Sequence, residues 1–139
     1  CDTDEYIEQK EHTTINDIFA AKGEEAFRDM ETDTVREFAC SLKKSVLSVG
    51  GGLPLRKVNR ELLKQVGTVV YLKASEDELC RRLRKDTTRP LLKGGNLMDK
   101  IHTLMKQRED IYIEAADIII DTENKAFEHM YEEIIKNRK

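Results

Sequence analysis

Short apolar runs rich in β-branched residues alternate along this chain with longer segments of helical periodicity. Residues 68–72 (Thr-Val-Val-Tyr-Leu) and 118–120 (three isoleucines) have this character, and residues 45–49 form a third apolar run that ends at three glycines. Between these runs, residues 56–65 and 97–115 carry apolar side chains at helical spacing. Parallel strands need long crossover connections, and a helix is the usual one. The alternation therefore predicts an α/β fold with a parallel sheet.

The composition narrows the class of partner. The chain has 139 residues, and we expect residues 1–139 to form a single domain. Charged residues make up 37% of the sequence, and the net charge is only −3. Acidic and basic side chains are mixed along the helical segments, so we expect no nucleic-acid partner and no membrane association. We also expect a monomer. No apolar stretch is long enough to cross a bilayer.

The cysteines indicate a reducing compartment. Cys1, Cys40 and Cys80 are an odd number, and none belongs to a C-x-x-C pair. This predicts free thiols and a cytoplasmic protein rather than a disulfide framework. We interpret all three as buried structural thiols, because thiol catalysis would need an activating histidine nearby.

The sequence Asp2-Thr3-Asp4 places two carboxylates one residue apart near the start of the chain. Two such carboxylates at the end of a strand can hold a hydrated Mg²⁺ ion and orient a hydroxyl group. The alternative is an acidic surface turn, which the pattern alone does not exclude.

A second pattern is Phe27-Arg28-x-x-Glu31 on a predicted long helix. A guanidinium group can bind a carboxylate through two parallel hydrogen bonds. Glu31 stands three residues after Arg28, the spacing at which a helix lets one side chain hold the other. An ordinary surface ion pair is the alternative.

Gly50, Gly51 and Gly52 directly follow the apolar run at 45–49. Glycines in this position let the backbone approach a ligand closely, and their N–H groups can bind ligand oxygens without an intervening side chain. A plain turn would usually need only one or two glycines. We therefore favour a ligand-binding role for this segment.

The segment Arg89-Pro90-Leu91-Leu92 lies in a polar, glycine-containing stretch at about 85–96, which we interpret as a lid loop. A loop arginine can neutralise charge on a transferred phosphoryl group. A basic cluster just before it, which includes Arg82, fits a polyphosphate or an ordinary helix end. Further on, Arg108 and Tyr112 fall on one face of a predicted helix.

These five patches, in this order and spacing, resemble those of shikimate kinase, a small phosphotransferase, over nearly the whole chain. The resemblance implies an α/β fold of the P-loop NTPase, nucleoside-monophosphate-kinase-like type, a three-layer sandwich with a parallel sheet. It implies ATP-dependent phosphorylation of the 3-hydroxyl of shikimate with Mg²⁺, a step towards chorismate and the aromatic amino acids. A gluconate kinase is an alternative that the three glycines and the two arginines Arg28 and Arg108 disfavour.

The resemblance also implies roles for the substrate side. By position, Asp2 matches the aspartate on the Mg²⁺ side, and Asp4 matches the one that binds the reacting hydroxyl and acts as a base. The shikimate carboxylate would be held by Arg28 and Arg108. The stretch Gly50, Gly51 and Gly52 would line the ring.

On the nucleotide side, the resemblance assigns three cations to ATP. Arg89 matches the lid arginine at the transferred phosphate, Arg82 falls near the adenine, and Lys125 falls near a second adenine contact.

One part of the family pattern is not in these residues: no G-x-x-x-x-G-K-[ST] sequence occurs between Cys1 and Lys139. The chain starts with Cys1, directly at a functional motif and with no strand before it. We therefore expect a first strand and P-loop to precede it in a full kinase, and we expect the chain alone to be inactive. The alternative is a non-catalytic shikimate-binding or regulatory protein that has lost the P-loop.

Overall fold

The computed structural model describes residues 1–86, 90–92 and 94–138. The chain divides into two compact units. The first contains residues 1–67 and 90, and the second contains residues 68–86, 91–92 and 94–138. The single domain expected for residues 1–139 stays a prediction.

Helices dominate the described part of the first unit. They are α1 (Thr3–Glu11), α2 (Ile15–Lys22), α3 (Glu24–Ser41), a 3₁₀ helix (Leu53–Leu55) and α4 (Lys57–Val66). The long helix α3 packs against α1, α2 and α4. Its apolar face joins those of α1 and α2 in a buried core of Ile7, Ile15, Ile18 and Phe27. Helix α3 is therefore the scaffold on which the rest of this unit is placed.

Local capping sets the bounds of α2. The Thr14 side chain accepts a hydrogen bond from the backbone N–H of Asp17 at 3.2 Å, and so caps the first turn. Gly23 follows the last residue with a φ of 84°, a conformation that favours glycine. Thr14 and Gly23 therefore mark the two ends of α2.

Helix α1 was not foreseen, because Asp2-Thr3-Asp4 was interpreted as the end of a strand. Asp2 is instead the N-cap residue: its Oδ1 accepts hydrogen bonds from the backbone N–H of Asp4 at 2.8 Å and of Glu5 at 3.1 Å. These bonds satisfy two of the N–H groups that every helix start leaves open. The spacing from Asp2 to Glu5 is that of a capping box, a signal in the sequence that could have located this helix.

The strand predicted at residues 45–49 is wrong. Among the described residues this segment makes one isolated parallel bridge, between Asp2 and Ser48. Ser48 N donates to Cys1 O at 2.8 Å, and Thr3 N donates to Ser48 O at 3.0 Å. Because the partner segment turns into α1 at Thr3, the pairing cannot continue. The segment is not buried either, since Val46 is 85% exposed.

The second unit contains strands β1 (Val70–Lys73) and β2 (Ile118–Asp121) with helices α5 (Glu76–Leu83), α6 (Leu97–Ala115) and α7 (Phe127–Asn137). A short 3₁₀ helix, Pro90–Leu92, lies before α6. The two strands are parallel, with Val70 opposite Ile118 and Lys73 opposite Asp121. The predicted α/β class with parallel strands is confirmed.

No helix in the described ranges is long and apolar enough to span a membrane. All three cysteines are free, as expected. Only Cys80 is buried, so the interpretation of Cys1 and Cys40 as buried thiols is wrong. Cys1 and Cys40 are both exposed, and Cys40 lies in the last turn of α3.

Candidate functional site

Arg28, on α3, is only 7% exposed, which is unusual for an arginine. Its Nη1 donates to Glu31 Oε2 at 2.7 Å, and its Nη2 donates to Glu24 Oε1 at 3.0 Å. The helix places all three side chains on one face. The predicted contact between Arg28 and Glu31 is confirmed. Glu24 is a second partner that the sequence analysis did not name, although its spacing from Arg28 is the favourable order for a helical ion pair.

The charge of Arg28 is secured by these carboxylates. Burial removes the guanidinium from water and by itself would lower its pKa, but the hydrogen bonds and charges of Glu31 and Glu24 outweigh this and raise the pKa above its ordinary value. The group therefore remains a cation suited to binding a second anion.

Asp4 lies close to Arg28's partner Glu31, because both carboxylates face Gly50. A Cβ atom placed on Gly50 would lie 3.2 Å from Asp4 Oδ1 and 3.4 Å from Glu31 Oε1. A carboxylate from α1 and a carboxylate from α3 thus converge on the glycine segment. The pairing between Asp2 and Ser48 sets this register, because it fixes the backbone two residues before both Asp4 and Gly50.

The glycine segment turns into the 3₁₀ helix, and α4 holds that helix. Leu53 N donates to Gly50 O at 3.1 Å, and Leu55 N donates to Gly52 O at 3.2 Å. The Asn59 side chain, fully buried, donates from Nδ2 to Leu53 O at 2.8 Å.

Arg60 makes a similar connection, since its Nη1 donates to Pro54 O at 2.8 Å and to Leu55 O at 3.0 Å. Sequence reasoning missed both Asn59 and Arg60. The only signal was a polar pair at the start of an amphipathic helix.

The proposed metal residue, Asp2, has one carboxylate oxygen engaged in the cap of α1. In the described ranges no group of three or more His, Cys, Asp or Glu side chains is arranged to hold a metal ion. Asp2 and Asp4 flank the first turn of α1 as two oxygen donors. This fits Mg²⁺, which commonly takes one or two carboxylates and completes its shell with water and phosphate.

The second unit contains a groove of about 610 Å³ at the carboxyl ends of β1 and β2. It is lined by polar and charged side chains from α5 with its N-cap and from the segment after β2: Ser75, Asp77, Glu78, Arg81, Arg82, Thr122, Glu123, Asn124 and Lys125. Arg82 and Lys125, far apart in the sequence, therefore meet at one groove. The carboxyl ends of parallel strands are where ligands of α/β proteins usually bind.

Glu78 fixes the two arginines of the groove. Arg82 donates from Nε to Glu78 Oε1 at 2.5 Å, and Arg81 donates from Nε and Nη2 to both oxygens of the same carboxylate. The hydrogen bonds from Arg81 and Arg82 lower the pKa of Glu78 to about 2. Ser75 and Glu78 have the spacing of a capping box, and only the bond from Glu78 N to the Ser75 hydroxyl forms.

The missing half of that capping box is supplied from the segment after β2. Ser75 N donates to Glu123 Oε1 at 3.0 Å, and the Ser75 hydroxyl contacts the same oxygen. Next to it, Lys125 Nζ donates to Glu133 Oε2 at 2.9 Å. Each cation of the groove therefore has an acidic partner that holds it in place.

Arg108 lies on α6 in the second unit and is half-buried. It makes no hydrogen bond or ion pair with any residue that the structure describes. Tyr112, one turn later, packs its ring 5.3 Å from that of Tyr71 on β1. Tyr112 therefore anchors α6 to the sheet, while Arg108 keeps a cation available for an anion.

Arg89, the predicted lid arginine, lies outside the described residues, as do Thr87, Thr88 and Lys93 of the predicted lid at about 85–96. The structure brings together Asp4, Arg28, Gly50 and Gly52 in the first unit, and Arg82 and Lys125 in the second. The role of each in binding or catalysis stays a prediction.

The comparisons with known proteins agree on one family. The family model described as shikimate kinase matches residues 1–139. The shikimate kinase of Dictyoglomus turgidum is 42% identical over 138 residues, which cover 97% of this chain and 79% of that protein. That of Geobacter metallireducens is 42% identical over 134 residues, covering 96% and 74%.

Solved structures give the same result. The shikimate kinase from Acinetobacter baumannii in complex with shikimate matches with a TM-score of 0.90 and 38% identity, covering 97% of this chain and 75% of that one. The shikimate kinase from Aquifex aeolicus matches with a TM-score of 0.80 and 32% identity, covering 98% and 78%. The fold is therefore of the P-loop NTPase type, and the chain belongs to the shikimate kinase family.

Proposed function

We propose that this chain binds shikimate through the cluster around Arg28 and provides the substrate side of an ATP-dependent phosphorylation of the shikimate 3-hydroxyl. The observation that carries the proposal is a buried, carboxylate-held arginine beside a second acidic side chain, Asp4, at a segment of glycines. Shikimate is a small carboxylate with hydroxyl groups, and it needs a cation, an acid that orients a hydroxyl, and a close backbone wall.

In this proposal Arg28 binds the substrate carboxylate. Each of its terminal nitrogens carries two N–H groups, and Glu31 and Glu24 each occupy one nitrogen with a single bond. A second N–H therefore remains on each nitrogen. Arg108, half-buried and without a partner among the described residues, is proposed as a further cation for the substrate on the strength of the family resemblance alone.

Asp4 accepts the hydrogen bond of the reacting hydroxyl and takes its proton as the phosphoryl group is transferred. Phosphoryl transfer depends mainly on positioning and on neutralising charge, so few protein groups are needed. Asp2 would hold Mg²⁺ through the carboxylate oxygen that does not cap α1, and the ion would neutralise charge on the transferred phosphoryl group.

The groove at the ends of β1 and β2 takes the adenine end of ATP. Arg82 provides a flat guanidinium held by Glu78, and Lys125 lines the same groove. Arg89 is proposed to reach the transferred phosphate, on the strength of the family resemblance alone. A cytoplasmic monomer stays our proposal, and size-exclusion chromatography under reducing conditions tests the oligomeric state.

The first test is shikimate binding to the chain as given, followed by NMR titration. We expect saturable binding that Asp4→Asn weakens and that Arg36→Ala, an exposed change on helix α3, leaves unchanged. A chain that is folded and shows no binding would overturn the proposal.

The second test is shikimate-dependent ADP release from ATP and Mg²⁺. It compares this chain with a version extended at its start by a strand and a P-loop segment of the G-x-x-x-x-G-K-[ST] type. We expect turnover in the extended version. Binding without turnover in either version would favour the alternative, a non-catalytic shikimate-binding or regulatory protein, which the lack of a G-x-x-x-x-G-K-[ST] sequence in these residues supports.

A further inference from the structure

Gly52 lies unusually close to the guanidinium group of Arg28. A Cβ atom placed on Gly52 would lie 2.2 Å from Arg28 Nη1, 2.3 Å from Cζ and 2.3 Å from Nη2. Non-bonded carbon and nitrogen atoms do not approach this closely, so any side chain at this position would overlap the whole flat face of the guanidinium.

Backbone conformation does not explain why this residue is a glycine. Gly52 has a φ of −87° and a ψ of −19°, a conformation that every L-residue adopts. Gly52 is also buried, so the chain does not need it for an exposed turn. The contact with Arg28 is the feature of the described structure that requires a residue with no side chain.

Arg28 cannot easily move away from such a side chain. Its two terminal nitrogens are bonded to Glu31 and Glu24, and Glu31 is 1% exposed. Moving the guanidinium would break its ion pair with the buried Glu31 carboxylate, which is costly. A methyl group at position 52 therefore competes directly with the ion pair.

We propose that Gly52 is a positioning residue: because it has no side chain, the flat guanidinium group of Arg28 packs directly against it and is held in position for the substrate carboxylate. We call this contact between Gly52 and Arg28 the seat. Its role is thus distinct from lining the ring of the substrate, and it acts through Arg28. This inference rests on the proposed function, since it assumes that Arg28 binds the carboxylate of shikimate.

The binding test compares Gly52→Ala with Gly67→Ala, using shikimate and its uncharged methyl ester. Gly67 is the matched control, because a Cβ atom there meets nothing within 4 Å and its φ of 163° is open to any residue. We expect Gly52→Ala to weaken shikimate binding about tenfold or more, and methyl ester binding less than about threefold. Gly67→Ala should change neither. Equal losses for both ligands, or no loss for shikimate, would overturn the proposal.

A thermal double-mutant cycle tests the seat without any ligand. Arg28→Gln ends one atom short of the guanidinium carbon, and so removes the group that the new methyl overlaps. We expect Gly52→Ala to lower the melting temperature by about 5 °C or more in the parent chain and by about 1 °C or less in the Arg28→Gln background. Arg28→Met, which also ends short of that carbon, replaces Arg28→Gln if the latter does not fold.

If Gly52→Ala lowers the melting temperature equally in the two backgrounds, Gly52 acts independently of Arg28, and its proposed positioning role is overturned. If the parent chain binds neither ligand, the proposed function fails, and the role of the seat in substrate binding fails with it. The thermal cycle still reports separately whether Gly52 and Arg28 are coupled.

Discussion

The candidate binding arginines of the two units differ in how deeply their ion pairs are buried. In the first unit the Arg28 and Glu31 side chains are 9% and 1% exposed. In the second, Arg82 and Arg81 share Glu78 with side chains that are 45% and 71% exposed. Buried charges are expensive to separate, whereas exposed pairs contribute little to stability. The first unit therefore couples its candidate binding residues to its own stability, and the second unit does not.

The largest expected effect comes from breaking the buried pair. Arg28→Ala should lower the free energy of unfolding by about 3 kcal/mol, because it removes one partner of a buried ion pair with Glu31. It should also weaken shikimate binding about 100-fold. Urea unfolding and NMR titration measure the two effects.

Arg36→Ala is the matched control, since Arg36 pairs with Asp33 on the same helix with both side chains more than half exposed. It should change stability by less than about 0.5 kcal/mol. Equal costs for the two arginines would erase the contrast between buried and exposed charge.

A second comparison uses the two partners of Arg28. Glu31→Gln should cost about 1–3 kcal/mol, because the buried guanidinium loses a charged acceptor. Glu24→Gln should cost less than about 0.5 kcal/mol, because Glu24 is 45% exposed. Chemical denaturation checks both. A larger cost for Glu24→Gln would mean that burial is not what makes the contact important.

The third prediction separates the helix cap from the metal role of Asp2. Asp2→Ala should lower the free energy of unfolding by about 1 kcal/mol, whereas Asp2→Asn should change it little, because asparagine caps helices as well as aspartate does. If Asp2 also holds Mg²⁺, Asp2→Asn should weaken Mg²⁺-dependent nucleotide binding in the version extended by a P-loop. If nucleotide binding by the Asp2→Asn protein depends on Mg²⁺ as it does in the parent, Asp2 serves only as the cap of α1.

The smallest expected effect is the change in melting temperature on replacing Glu78, which lies in the exposed groove of the second unit. The pKa of Glu78 is lowered from 4.5 to about 2, so its contribution to stability is present above the unfolded value and is lost as the pH falls towards 2. The melting temperature of the parent chain should exceed that of Glu78→Gln by about 1–2 °C above pH 5, and the difference should shrink below it. A difference that grows on acidification would contradict the sign of the shift.

Local signals predicted local structure well. Both ends of α6 were predicted to the residue, because its apolar spacing is regular and Gly94 and Gly95 punctuate its start. The strand predicted at 45–49 failed, because a strand depends on a partner and the partner here turns into α1. Apolar content alone cannot show where such pairing ends.

Local spacing also explains which part of the candidate site could be predicted. Arg28 and Glu31 lie one turn apart, so helical spacing sufficed to pair them. Asn59 donates to a carbonyl of the preceding 3₁₀ helix, and Ser75 bonds to Glu123 across the unit. Neither contact has a periodic signature, so only the folded chain reveals them.

The single bridge between Asp2 and Ser48 has a consequence for how this chain tolerates changes in length. It aligns two segments so that Asp4 and Gly50 meet two residues further along each. One residue inserted between Ser48 and Gly50 would shift every glycine relative to Asp4 and Arg28. One residue inserted among positions 43–46, which are exposed, would be taken up by the loop. Over evolutionary time, deletions and insertions in this family member should therefore accumulate before Ser48 and be purged after it.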